Sequence, residues 1–222
     1  SIVGRDPIAV AATHDIASVF SGSDVIIDFS LPDAFTEILS MAVKTSKPIV
    51  IGTTGLTKIQ EDNINDAART IALVYASNTS LGINLLFAII EQISRALPTD
   101  FDIDILDFHH NKKIDAPSGT ALSLGKAAAR GREMNFDKVA KLSREGEVGR
   151  RPSGEIGFAA LRGGNVIGEH TVIFASAGER LEVSHKTSGR EIYAAGALRA
   201  AHWVFNQSNG LYSMRDVLGI KV

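Results

Sequence analysis

The sequence contains no cysteine. That excludes a disulfide scaffold, a zinc–thiolate site and a thiol nucleophile together. It has one tryptophan, and aromatic residues make up only 6% of its 222 residues. It lacks an excess of either charge: 23 basic residues stand against 25 acidic, a net of −2. A nucleic-acid binder usually shows a basic excess, so the balance argues against that class. No apolar run approaches the roughly 20 residues of a membrane span; Ile83 to Ile90, broken by Asn84, is among the longest. No basic-then-apolar leader opens the chain. The composition that remains, 45% apolar and 22% charged, is that of a globular protein with a substantial core, of one to two domains.

The first third alternates between two periods. Asp24 to Ser30, Pro48 to Gly52 and Ile71 to Ala76 are short, nearly solid apolar runs ending in polar turn formers. Between them, Pro32 opens a helix with Phe35, Ile38, Leu39 and Ala42 on one face, and Leu56 to Arg69 forms the next. Solid apolar strands separated by helices predict βαβ units and a doubly wound parallel sheet. Such a sheet normally begins with a strand and a G-x-G-x-x-G phosphate loop. Ile8 to Ala11 has strand character, but no such loop adjoins it. The expected fold is therefore α/β: a Rossmann-type dinucleotide-binding domain, incomplete at its N-terminus, spanning 1–80 and 190–222.

The pattern changes after Leu81. Leu81 to Leu97 is amphipathic and ends at Pro98, and Phe101, Ile103 and Ile105 alternate with Asp102 and Asp104, as in a half-exposed antiparallel strand. Thr120 to Arg130 reads as a helix, Lys141 to Pro152 as a charged loop, and Ile156 to Leu161, Val166 to Ser176 and Arg180 to His185 as strands. An alanine-rich helix from Arg190 to Phe205 follows. Residues 81–189 are thus expected to form an α+β domain on a mixed sheet.

His109-His-Asn-Lys-Lys113-Ile-Asp115-Ala-Pro-Ser118-Gly-Thr120-Ala121 is the densest chemical feature. It lies where a strand gives way to a helix. Ser118, Gly119 and Thr120 offer amides and hydroxyls at the helix N-terminus, an anion site in waiting or an ordinary cap. His109 and His110 titrate near neutrality, and Lys113 adds a cation. Neighbouring strand residues face opposite sides, and His170, His185 and His202 lack ligand spacing, so no metal is expected. Gly52-Thr53-Thr54-Gly55 and Ala76-Ser77-Asn78-Thr79 each follow a strand, where open α/β sheets bind ligands; turn chemistry explains either singly. Asp28 follows an earlier strand and reads as a turn-initiating carboxylate. The basic loop from Arg130 to Arg151 reads as a solvated face.

The stretch from His109 to Ala121 closely resembles the H-H-x-x-K-x-D-A-P-S-G-T-A signature of the 4-hydroxy-tetrahydrodipicolinate reductase (dihydrodipicolinate reductase) family. Ile51 to Gly55, Ala76 to Asn84, Ser143 to Gly146, Gly154 to Ala159, Arg162 to Gly164 and Gly168 to Thr171 resemble the family's other blocks, in order. The resemblance implies an NADH- or NADPH-dependent enzyme of lysine and diaminopimelate biosynthesis, usually cytoplasmic and homotetrameric, acting on a small dicarboxylate. It makes His109 the acid/base and Lys113 the proton donor. It places His110, Gly119 and Thr120 on the substrate, and Gly52, Thr53 and Thr54, with Ala76, Ser77, Asn78 and Thr79, on the nucleotide. The family's glycine-rich loop is absent, implying that about fifty residues precede Ser1, the size of one strand–loop–helix–strand unit. Asp104 and Asp107 stand where members often have Glu. A catalytically silent binding protein and another two-domain dehydrogenase are the alternative readings; a mere binder would not require His109 and Lys113.

Overall fold

The computed structural model describes residues 10 and 12–220. The strand expected over Ile8 to Ala11 lies outside them except for Val10, which is in no strand. In chain order the elements begin with α1 (Ile16–Ser21), β1 (Ile26–Asp28), α2 (Pro32–Lys44), β2 (Ile49–Ile51), α3 (Lys58–Ala67) and β3 (Ala72–Tyr75). Next come α4 (Leu81–Ala96), β4 (Asp102–His109), α5 (Gly119–Gly131), α6 (Phe136–Val139) and β5 (Ala140–Lys141). The chain continues through β6 (Ile156–Arg162), β7 (Glu169–Ala175), β8 (Arg180–Lys186), α7 (Glu191–Val204), β9 (Gly210–Tyr212) and α8 (Met214–Val217). Two compact units result, one of residues 1–77 and 198–213, the other of 78–197 and 214–222. The stretch 190–222, which the sequence reading groups with the first domain, is divided between them.

The first unit is built on a wholly parallel sheet in the order β1-β2-β3-β9. Its central strands are buried on both faces, which is why Ile49-Val-Ile51 and Ala72-Leu-Val74 carry no polar residue. Pro32 supplies the preset φ that starts α2, and Phe35, Leu39 and Ala42 follow at helical spacing into the core. A capping box starts α3: the Thr57 hydroxyl accepts from the Gln60 amide while the Gln60 side chain accepts from the Thr57 amide.

The second unit carries a mixed sheet in the order β5-β6-β4-β7-β8. Its central strand, β4, runs parallel to β6 and antiparallel to β7. The antiparallel expectation for β4 thus holds on one side only. Alternation reports that one face is buried; it carries no information about neighbour direction. Here Ile103 and Ile105 pack under α4 and α5 with Leu86, Ile90 and Leu124, whereas Leu106 and Phe108 lie on the opposite face. The basic loop is also less free than expected. Arg144 and Arg151 fold back onto Asp104 at 3.0 and 2.6 Å, and Arg151 also reaches Asp102 at 3.0 Å. Those aspartates alternate with Ile103 on the uncovered face, so the loop is stapled to the sheet.

One buried charge secures α4 against its neighbours. Glu91, 5% exposed, receives Arg130 at 3.1 Å, Arg215 at 3.2 Å and Arg95 at 3.4 Å. Gly131 lets α5 approach this close, since a Cβ there would lie 2.3 Å from the Glu91 carbonyl oxygen. Burial alone would raise the Glu91 pKa, but the hydrogen bonds and charges of Arg130 and Arg215 reverse this and hold it below the usual carboxylate range. Glu91→Gln is expected to cost roughly 2 kcal/mol, less than the ~3–5 kcal/mol of a fully buried pair because Arg95 and Arg130 are half exposed. Thermal unfolding at neutral pH should show a drop of roughly 5 °C. Because the folded-state pKa is lowered, the difference should shrink as pH falls through the acid range; a difference independent of pH would contradict the ionic account.

Candidate active site

Residues two apart on a strand share a face, so Asp107 and His109 both point to the helix-covered side at the end of β4. Register completes the group: Asp107 lies opposite His170 on β7, and His109 opposite Arg162 on β6. Ser118 caps α5, its hydroxyl accepting from the Ala121 amide at 3.1 Å. Around these residues the structure builds one buried cluster.

Asp107 is its centre, with no exposed surface. One carboxylate oxygen, Oδ2, accepts from the Ser118 amide at 2.8 Å and from Arg162 Nη2 at 3.2 Å. The other, Oδ1, lies 2.6 Å from His109 Nδ1 and 3.6 Å from His170 Nε2. His170 Nε2 is also 3.1 Å from Ser118 Oγ, and the His109 and His170 rings meet edge to face at 5.1 Å. Burial lowers the His109 pKa; Asp107 opposes that shift, while Lys113 and Arg162 add to it. Burial pushes His170 down to about 4 in spite of Asp107, leaving it neutral at physiological pH.

Lys113 and Asp115 form a pair at 2.8 Å, which holds Asp115 below the carboxylate range. Arg162 Nη2 donates to the Asp115 carbonyl at 2.8 Å, so one guanidinium ties this turn to Asp107. The start of α5 is open: Gly119 is exposed, and a Cβ there would meet nothing within 4 Å. Thr120 Oγ1 accepts from Asn78 Nδ2 at 3.3 Å, and His110 is half-buried with no hydrogen-bond partner on Nδ1 among the described residues. A buried acid–base pair, a lysine and free amides at a helix N-terminus therefore occupy one strand-to-helix turn. That arrangement suits protonation of a bound anion.

Three residues here escape sequence reasoning. Arg162 and the partnership of Asp107 with His170 depend on strand register, for which the sequence holds no local signal. His170 is not isolated, as its spacing suggests: its donor atom comes within 4.8 Å of those of Asp107 and His109. Three such donors are a spacing that a cation could accept, but the Arg162 guanidinium beside Asp107 opposes a second positive charge.

The other sequence-derived candidates occupy strand ends of the parallel sheet and the turn before α4. Asp28 does more than initiate a turn. Its Oδ1 accepts from the Ser30 amide at 2.9 Å and its Oδ2 from the Thr53 hydroxyl at 3.0 Å, linking the loops after β1 and β2. Gly52 lies against the Phe29 ring, which a Cβ would strike at 2.4 Å. Thr53 and Ala76 are buried, while Thr54 and Ser77 are exposed at the ends of adjacent strands. Asn78 and Thr79 belong to the second unit. Asn78 Oδ1 accepts from the Ser80 amide at 2.9 Å, and the Thr79 hydroxyl donates to the Tyr193 carbonyl at 2.8 Å. Strand-end amides with small exposed side chains fit the amide and ribose of a nicotinamide nucleotide.

A Rossmann-type sheet joined in one chain to a mixed-sheet unit with a buried Asp–His cluster is the architecture of the class of two-domain α/β oxidoreductases. A family model described as "Dihydrodipicolinate reductase, N-terminus" matches residues 1–79, and one described as "Dihydrodipicolinate reductase, C-terminus" matches 82–218. The 4-hydroxy-tetrahydrodipicolinate reductase of Zymomonas mobilis is 47% identical over 98% of this chain and 86% of its own. That of Nitrosomonas europaea is 44% identical over 100% of this chain and 82% of its own. A solved dipicolinate-bound dihydrodipicolinate reductase from Paenisporosarcina sp. TG-14 shares the fold with a TM-score of 0.75 at 20% identity, over 96% of this chain and 82% of that one. The chain belongs to the dihydrodipicolinate reductase family.

The burial of His170 has a measurable consequence. Its ring should stay neutral down to about pH 4 in an NMR titration, far below the ordinary 6.5. Between those values the unfolded chain takes up a proton that the folded protein refuses, so stability should fall as pH is lowered through that window. Titration of His170 near 6.5 would contradict the buried cluster.

Proposed function

We propose that the protein reduces 4-hydroxy-tetrahydrodipicolinate to tetrahydrodipicolinate, with loss of water, in the lysine and diaminopimelate pathway of the cytoplasm. The observation that carries this reading is the convergence of His109, Lys113 and the open N-terminus of α5 at the end of β4. A dicarboxylate suits that turn: the Gly119 amide and Thr120 hydroxyl receive one carboxylate, with His110 beside them. The dipicolinate carried by the Paenisporosarcina neighbour supports the same class of ligand. NADH or NADPH, when bound, supplies a hydride. Gly52, Thr53 and Thr54, with Ala76, Ser77, Asn78 and Thr79, would hold its nicotinamide end.

His109 and Lys113 deliver the proton that balances the added hydride. Burial makes His109 a ready donor, because desolvation destabilises its charged form. Lys113, oriented by Asp115, supplies a second acidic group and attracts the dianion. A silent binding protein would gain nothing from a buried Asp107–His109 pair, whose desolvation is costly.

The test is consumption of NADH or NADPH when the condensation product of aspartate semialdehyde and pyruvate is generated in situ. Turnover should depend on that product. His109→Gln should lower kcat by about 10²–10⁴-fold with little effect on KM, the range general acid catalysis supplies. Lys113→Ala should impair both. Nucleotide binding with no turnover in the folded protein would favour the silent binder.

The reading extends to a homotetramer. On the mixed sheet, α4 and α5 lie on one face, while Leu106, Phe108, Leu161 and Ile173 lie on the other, Leu161 47% exposed. An apolar patch of this kind, beside the charged end at Asp102 and Asp104, suits pairing with further copies of the chain. Light scattering should give about four chain masses, and Leu161→Glu should reduce that value. A monomer in both cases would refute the assembly.

A further inference from the structure

We infer that Asp107 is a positioning residue for proton transfer, holding His109 with its proton on Nδ1 and its Nε2 toward the substrate; this rests on the acid/base reading of His109. The carboxylate is fully buried and anchored before it meets the histidine. The Ser118 amide fixes Oδ2 at 2.8 Å and Arg162 adds a contact at 3.2 Å. Oδ1 is thereby left 2.6 Å from His109 Nδ1. A carboxylate at that nitrogen accepts from Nδ1–H, selecting the tautomer and stabilising the imidazolium.

The rest of the ring is confined as well. The His170 ring meets it edge to face, and Gly168 leaves room at the other edge, where a Cβ would lie 3.0 Å from Nε2. Rotating the ring by half a turn about Cβ–Cγ would bring Cδ2 to Asp107 in place of Nδ1 and Cε1 to the position of Nε2, leaving the reacting side without its acid. Ser118 serves two functions at once: its amide orients Asp107 while it caps the helix whose next residue, Gly119, opens the anion site. The proton donor and the anion site therefore share one fixed point.

The groups facing His109 come from every adjoining strand. They are Asp107 on β4 itself, Arg162 on β6, His170 on β7 and Lys113 on the following turn. His170 is neutral at physiological pH, Arg162 and Lys113 are cations, and Asp107 is the one anion among them. Removing that anion leaves only groups that oppose protonation of His109. Because the protonated ring is the donor, activity is lost as pH rises through its pKa, and the limb must move to lower pH without Asp107.

The experiment compares pH profiles of kcat/KM for wild type, Asp107→Asn, Asp107→Glu and His109→Gln, with thermal unfolding and pyridine-2,6-dicarboxylate affinity measured on each. Asp107→Asn is expected to lower kcat about 10- to 100-fold and to move the high-pH limb down by about one unit, with dicarboxylate affinity changed less than threefold. Asp107→Glu, which keeps the charge, should restore the limb to within a few tenths of a unit; it also decides the matter if the Asn variant does not fold. Unchanged kcat and limb in folded Asp107→Asn, with both altered in His109→Gln, would overturn the positioning role alone. Equal loss in folded Asp107→Glu and Asp107→Asn with no limb movement would assign Asp107 a purely structural part and overturn it too. An unaltered profile in His109→Gln would remove the acid/base reading on which the inference stands.

Discussion

A carboxylate with no access to water constrains the second unit more than any other group. Burying Asp107 costs several kcal/mol unless its charge is met: Oδ2 accepts from the Ser118 amide and the Arg162 guanidinium, and the rings of His109 and His170 stand 2.6 and 3.6 Å from Oδ1. Meeting that demand requires β6 on one side of β4 in parallel register and β7 on the other in antiparallel register. It also requires α5 to begin at Ser118. The cluster's geometry follows from satisfying one buried anion, which is why His109, Arg162 and the start of α5 cannot be displaced independently.

The two units solve different problems with their sheets. The first buries both faces of a parallel sheet, and what remains for ligands is the row of loops beyond the strand ends, where Asp28 and Thr53 lock two turns together. The second buries one face only. Its covered side runs from an apolar base of Ile103, Ile105, Val172 and Phe174 to a polar end of Asp107, His109 and His170. Apolar packing below sets the rigidity with which the polar end is held, the rigidity that the proposed proton transfer requires. Glu91 and its arginines keep α4 and α5 in register over this face from the opposite end of the same helices.

Local signals made much of this legible in the sequence. Pro32 and Ser118 mark helix starts because capping is a short-range interaction. Solid apolar runs identify the parallel strands, and alternation identifies β4. The motif from His109 to Ala121 placed the functional reading at the turn between β4 and α5. What stayed hidden depends on long-range pairing. The opposition of Asp107 to His170 and of His109 to Arg162 joins residues more than fifty positions apart, and no local pattern encodes it. The parallel direction of β6 was hidden for the same reason. Arg144 and Arg151 resembled any charged loop until Asp102 and Asp104 were seen on the face they cover, and Thr79 and Asn78 gave no sign that their side chains serve the turn before α4.

The most direct measurement is a neutron diffraction map of the protein near neutral pH, read at the two nitrogens of His109. A proton on Nδ1, directed at an ionised Asp107, with Nε2 free of any carboxylate, is the predicted result. A bare Nδ1, or a proton residing on Asp107, would contradict the account at its centre.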